Sequence, residues 1–116
     1  MRILAGALGD CVHVAGINHF LALAEQLGHE TFFTGPATDA ESWAEMAHEF
    51  QPDLIGVSYR LTPENAQLAL EEFWKVMQAA GLAGCRFAFG GTPPVATIAR
   101  PMGIFDVVFD GNDPPA

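Results

Sequence analysis

Hydrophobic and polar positions along this chain alternate between two periods. Residues 2–8 are an unbroken apolar run after Arg2, the pattern of a strand buried on both faces. From residue 16 the period lengthens. Ile17, Phe20, Leu21, Ala24 and Leu27 recur at three-to-four spacing and predict a helix over 16–27, with Gly28 placed to end it. Residues 30–34 are aromatic and β-branched, a second strand that Gly35-Pro36 breaks. Thr38 and Glu41 have capping-box spacing, and a helix over 39–50 turns Trp43, Met46, Ala47 and Phe50 inward. Pro52 closes that connection, and residues 54–58 form strand three.

The second half repeats the scheme. Thr62-Pro63-Glu64 combines a hydroxyl cap, a proline at the first helical position and an acid in the first turn. The helix that follows lines up Ala66, Leu70, Phe73, Met77 and Ala80 and stops near Gly81. Strand four lies within 84–89. Thr92-Pro93 starts a helix over about 94–102, and strand five covers 105–109. This βαβαβαβαβ alternation with short connections predicts an α/β fold. Its core is a doubly wound, five-stranded parallel sheet in the order 2-1-3-4-5, with helices on both faces.

At 116 residues the chain reads as one domain spanning 1–116. No fifth helix is evident in 110–116. That leaves room for the chain to be the first module of a longer one, and predicts an apolar strip near strand five covered by a neighbouring domain or a second copy.

Charge narrows the partners. Half the residues are hydrophobic, and the net charge is −9 with only five Lys plus Arg. This argues against nucleic acid, whose binding rests on cationic contacts to phosphate, and against anionic membrane surfaces. No segment resembles a signal peptide or a transmembrane span. Cys11 and Cys85 fall at opposite edges of the predicted sheet, so a disulfide is not expected, and a reducing, cytoplasmic setting fits.

Candidate chemistry collects in loops at the carboxyl ends of the strands, where open α/β sheets hold their ligands. Residues 9–16, Gly-Asp-Cys-Val-His-Val-Ala-Gly, offer Asp10, Cys11 and His13 between two glycines. Imidazole suits transition metals, and its second nitrogen usually donates to a carboxylate. His13 is therefore a candidate ligand for a metal that arrives within a cofactor. On this loop alone, an ordinary solvated histidine is the better reading. Ser58 and Thr62 supply hydroxyls after strand three, although Thr62 is already explained as a helix cap. Gly90 and Gly91 carry no side chains, so backbone there can approach a bulky ligand closely.

Other chemistries lack their signatures. There is no G-x-G-x-x-G, no phosphate-binding G-x-x-x-x-G-K-S/T loop and no G-x-S-x-G elbow. Phospho-receiver domains need an aspartate ending strand three and a lysine ending strand five; here Ser58 and Asp110 stand there. Cys11 and His13 have no evident third group to orient them. His19, His29 and His48 sit on helix faces or ends and read as non-functional.

Taken together, His13-x-x-Gly16 after strand one, Ser58 ending strand three with Leu61-Thr62-Pro63 beyond, and Phe89-Gly90-Gly91 after strand four resemble one family. It is the cobalamin-binding domain of the methionine synthase, methylmalonyl-CoA mutase and glutamate mutase type, and the resemblance spans Arg2 to Gly111. It implies a flavodoxin-like (Rossmann-like) fold. It also implies a cobalamin whose dimethylbenzimidazole tail leaves cobalt and is buried among the loops after strands one, three and four. His13 would then be the lower axial cobalt ligand, Gly16 would open the helix beside the tail, and Ser58, Gly90 and Gly91 would line its cavity.

Two positions depart from the family pattern. The family aspartate stands two residues before the histidine, where this chain has Cys11, with Asp10 one residue earlier. The family S-x-L reads Ser58-Tyr59-Arg60, with Leu61 displaced by one. The resemblance implies a corrinoid carrier or binding module serving a catalytic or substrate-binding methyltransferase or mutase partner. Two other classes stand beside it: a cofactor-free regulatory or interaction domain, and an enzyme with Cys11 as nucleophile.

Overall fold

The computed structural model describes residues 1–9, 15–35, 38–59 and 62–109. Its strands are β1 (Arg2–Ala7), β2 (Glu30–Phe33), β3 (Leu54–Ser58), β4 (Arg86–Gly90) and β5 (Val107–Phe109). They pair in parallel as one sheet in the order β2-β1-β3-β4-β5. The helices are α1 (Ala15–Gln26), α2 (Ala40–Phe50), α3 (Pro63–Ala79) and α4 (Pro93–Ala99), the last extended by a 3-10 turn (Arg100–Met102). Strand order reverses direction after β2. Right-handed crossovers therefore place α1 on one face and α2, α3 and α4 on the other.

Side chains alternate across a strand, so the register sorts every strand residue to a face. Leu4, Ile55 and Phe87 pair side by side, as do Gly6, Val57 and Phe89. These face α2 and α3. Phe87 packs edge-on with Phe73 of α3 at 6.0 Å and with Trp74 at 5.5 Å, and Phe73 meets Trp43 of α2 at 5.7 Å. Each such pair adds about 0.5–1.5 kcal/mol beyond the area it buries. Trp43, Phe73, Leu70 and Met77 are fully buried. The Trp43 indole N–H has no hydrogen-bond partner among the described residues, so its contribution is apolar packing alone.

Local signals explain most boundaries. Gly28 sits at φ +91, and the backbone N–H groups of Gly28 and His29 donate back to Glu25 and Ala24, a left-handed cap that suits glycine. That turn ends α1 at Gln26 and carries Leu27 into solvent at 76% exposure, against the inward position its spacing suggested. Thr62 caps α3 as the sequence predicts, accepting from the Asn65 N–H. The cap of α2 is Asp39 rather than Thr38. Thr38 instead forms a bridge to Leu8, and its hydroxyl donates to the Thr34 and Gly35 carbonyls, so it is committed to the sheet rim. Strand four begins at Arg86 because Gly84 remains in the turn, and Pro101 tightens the end of α4.

At the amino edge, Arg2 binds β1 to its neighbours. Its side chain pairs with Glu30, donates to the Phe50 carbonyl and lies 4.3 Å from the Phe50 ring centroid. Cys85 is a free, half-buried thiol just before β4, pushed up in pKa by burial first and by the charge of Asp53 second. No described helix is long and apolar enough to cross a membrane. Val107 and Phe109 of β5 are exposed.

Phe73→Ala should lower unfolding free energy by about 3–5 kcal/mol in urea titrations, since it removes the centre of the aromatic stack. A second expectation concerns acid. Bonds from the Ser42 backbone N–H, then from its side chain, hold the Asp39 carboxyl below the usual carboxylate range. The folded-state pKa is thus below the unfolded one. The cap's contribution is present above the unfolded pKa and fades as pH falls through the folded value. Asp39→Ala should lower the thermal midpoint at neutral pH, and the gap from the parent protein should close in acid.

Candidate functional site

The sheet does not end where its strands end. Past the last ladder positions, Gly9 donates to the Thr38 carbonyl at 2.9 Å and Leu8 to that of Ser58 at 3.0 Å. Tyr59 donates to Gly90 at 3.1 Å, and Gly91 to Phe109 at 3.0 Å. This backbone chain ties the ends of β1, β3, β4 and β5 and the loop after β2 into one rim at the carboxyl edge. Buried Tyr59 is its hinge point. A Cβ on Gly91 would lie 2.7 Å from the Tyr59 carbonyl oxygen and 2.9 Å from the Phe89 ring, so only glycine passes there.

The face toward α1 differs in kind from the aromatic face. Its outer row is Ala7, Ser58, Gly90 and Phe109, and the next is Ala5, Gly56, Ala88 and Val107. Below them the row Ile3, Leu54 and Arg86 is bulky again. α1 covers β1 through Ile17, Leu21 and Ala24, which are buried. Among the described residues, the sheet over β3 and β4 therefore presents a shallow trough floored by small residues and open at the rim. A Cβ on Gly90 would meet nothing within 4 Å, whereas one on Gly56 would meet Ala5 at 3.3 Å. Ser58 is only 8% exposed, faces the trough, and its hydroxyl makes no hydrogen bond to a described residue.

The residues singled out in the sequence divide as follows. Ser58 and Gly90 are register partners at the trough mouth, and Gly91 holds the rim behind them. Gly16 is the second residue of α1, exposed, with open space where a Cβ would be. Thr62 caps α3 on the opposite face. Asp10, Cys11 and His13 lie outside the described residues, between Gly9 at the rim and the start of α1. Among the described residues, no group of three or more His, Cys, Asp or Glu could hold a metal ion. Sequence reasoning missed Ala5, Gly56, Ala88, Val107 and Phe109. Their signal is the every-other small residue within β1, β3 and β4, which becomes a floor only once register is known.

This floor fits a flat, largely apolar group laid along the strands. The strand amides beneath it are already spent on the ladder, and one buried hydroxyl remains to orient what lies there. The two glycines of the rim should separate by experiment. Gly91→Ala should cost on the order of 1–3 kcal/mol of stability, because backbone must move to admit the methyl group. Gly90→Ala should leave the thermal midpoint nearly unchanged.

Comparison with known proteins agrees with this geometry. A cobalamin-binding protein from Desulfitobacterium hafniense superposes at TM-score 0.78 with 23% identity, over 92% of this chain and 51% of that one. A chain of the methanol:cobalamin methyltransferase complex MtaBC from Methanosarcina barkeri gives 0.70 with 21% identity, over 78% and 34%. Chemotaxis protein CheY4 from Vibrio cholerae gives 0.56 with 14% identity, over 99% and 91%. At such identities the likeness establishes the flavodoxin-like fold, and this chain spans about half of the first protein and a third of the second. The B12 binding domain family model matches residues 1–115. The chain belongs to the B12-binding domain family, whose cofactor is cobalamin.

Proposed function

We propose that the chain holds cobalamin with its nucleotide tail detached from cobalt, and carries it for a methyltransferase or mutase partner. The observation that supports this reading is the α1-side trough, with small residues below, an open rim and one hydroxyl free to bond. Bound cobalamin supplies a cobalt centre able to carry an alkyl group.

The protein's own residues position it. Ser58 and Gly90 lie along the tail, Gly91 keeps the β3 and β4 loops together, and Gly16 leaves room where α1 begins. His13 would hold the cobalt, and Asp10 would accept from its second ring nitrogen and so fix which nitrogen faces the metal. Cys11 would stand beside His13 in its loop, and Thr62 serves the fold as the cap of α3.

The partner class rests on the family and on the methyltransferase complex that contains a neighbour of the same fold. A net charge of −9 favours a protein partner over nucleic acid. The family match also favours this reading over a cofactor-free regulatory domain.

His13→Ala should shift the absorption spectrum of bound cobalamin to that of a form without histidine ligation, with binding largely retained. Identical spectra for parent and variant at saturating cofactor would remove His13 from the ligand role. Gly90→Val should weaken binding at least several-fold with unchanged folding. Unaltered affinity would take the tail out of the trough.

A further inference from the structure

We infer that Tyr59 is a positioning residue for His13: its ring steadies the point where the chain leaves the sheet for the loop that carries the histidine. The inference rests on the proposed ligand role of His13. It adds the residue through which the sheet holds that ligand in place.

The chain runs on from β1 through Leu8, 2% exposed, to Gly9. Leu8 donates to the Ser58 carbonyl and bridges to Thr38, and Gly9 donates to the Thr38 carbonyl at 2.9 Å. These bonds hold the backbone up to the Gly9 nitrogen. Gly9 itself turns at φ +62, a left-handed conformation that suits glycine. Beside that turn stands the Tyr59 ring, whose Cε2 would lie 3.9 Å from a Cβ on Gly9, ordinary contact distance.

Tyr59 is well placed to act as a fixed wall. It is 4% exposed, and its N–H donates to the Gly90 carbonyl at 3.1 Å. Gly91 comes so close that a Cβ there would lie 2.7 Å from the Tyr59 carbonyl oxygen. The backbone of Tyr59 is thus held from the β4 side while its ring reaches the β1 side. Its bond to Gly90 continues the ladder, so the ring leaves on the side of Val57, opposite to Ser58 and the trough. A change to the ring therefore acts on Gly9 without altering the floor beneath the tail.

His13 follows Gly9 by four residues, a span of at most about 14 Å even when fully extended. Over so short a tether, the direction taken at Gly9 bears directly on where the imidazole can reach. A ligand has to be held to within about 0.5 Å of its productive position, so a small drift at the turn costs ligation. Leucine in place of the ring leaves a gap beside Gly9 and lets the turn drift.

The test titrates cyanide against cyanocobalamin bound to the full chain, followed by absorbance at saturating cofactor. A second cyanide enters the lower axial position only by displacing what holds it, so the midpoint reads how firmly the protein ligates cobalt. His13→Ala sets the floor. Tyr59→Leu should lower the midpoint about tenfold, the low end of the roughly 10- to 100-fold cost of losing a residue that orients a metal ligand. Tyr59→Phe keeps the ring and should match the parent. Leu70→Ala loosens the buried core on α3, far from Gly9 in the chain. It should lower the thermal midpoint and leave the cyanide midpoint unchanged. Thermal unfolding checks that every variant is folded under the conditions of the titration. A Tyr59→Leu midpoint equal to the parent's overturns the positioning role and leaves His13 as the ligand. So does an equal fall in Tyr59→Phe or in Leu70→Ala. A parent midpoint no higher than that of His13→Ala overturns both the positioning role and the ligand role beneath it.

Discussion

Alternation of large and small side chains within β3 and β4 governs both the stability of this domain and its candidate site. Ile55, Val57, Phe87 and Phe89 point to one face, and Gly56, Ser58, Ala88 and Gly90 to the other. The first set anchors α2 and α3 through the Trp43, Phe73 and Phe87 stack. The second set leaves space. A strand can serve both purposes because its period is two, and a slip of one residue would put aromatics in the trough and glycines in the core.

This division also separates where stability resides from where a ligand would lie. The aromatic face is close-packed and fully buried, so changes there act on folding. The α1 face has half-buried Ala88, Gly56 and Gly90 beside exposed Val107 and Phe109, so changes there act on what fills the space. Between them runs the hydrogen-bonded rim, in which Tyr59 bonds to Gly90 and Gly91 packs against Tyr59 and bonds to Phe109. Loops are good places for chemistry when a rigid scaffold holds them, and this rim supplies that support.

Much of this was legible in the chain itself. The alternation of strand and helix, the Thr-Pro helix starts at 62–63 and 92–93, and the C-terminal glycines Gly28 and Gly81 predict the sheet order that the structure has. Those signals are local, and local backbone preferences decide them. Where two local signals competed, the tertiary contact won. Thr38 had capping-box spacing with Glu41, but pairing with Leu8 drew it into the rim and left the cap to Asp39. Leu27 continued an apolar stripe that a left-handed turn at Gly28 had already ended.

The candidate site divides along the same line. The sequence determined the elements, the loops that carry Ser58, Gly90 and Gly91, and the family motifs around His13, because each of these is a run of adjacent residues. Only the tertiary structure decided that Ala5, Gly56 and Ala88 share a row with one another and lie beneath Ser58 and Gly90. It also decided that Gly91 is needed by packing while Gly90 opens onto space. Strand register brings together residues some thirty to fifty positions apart through backbone bonds that are the same for every side chain. No local spacing encodes that meeting.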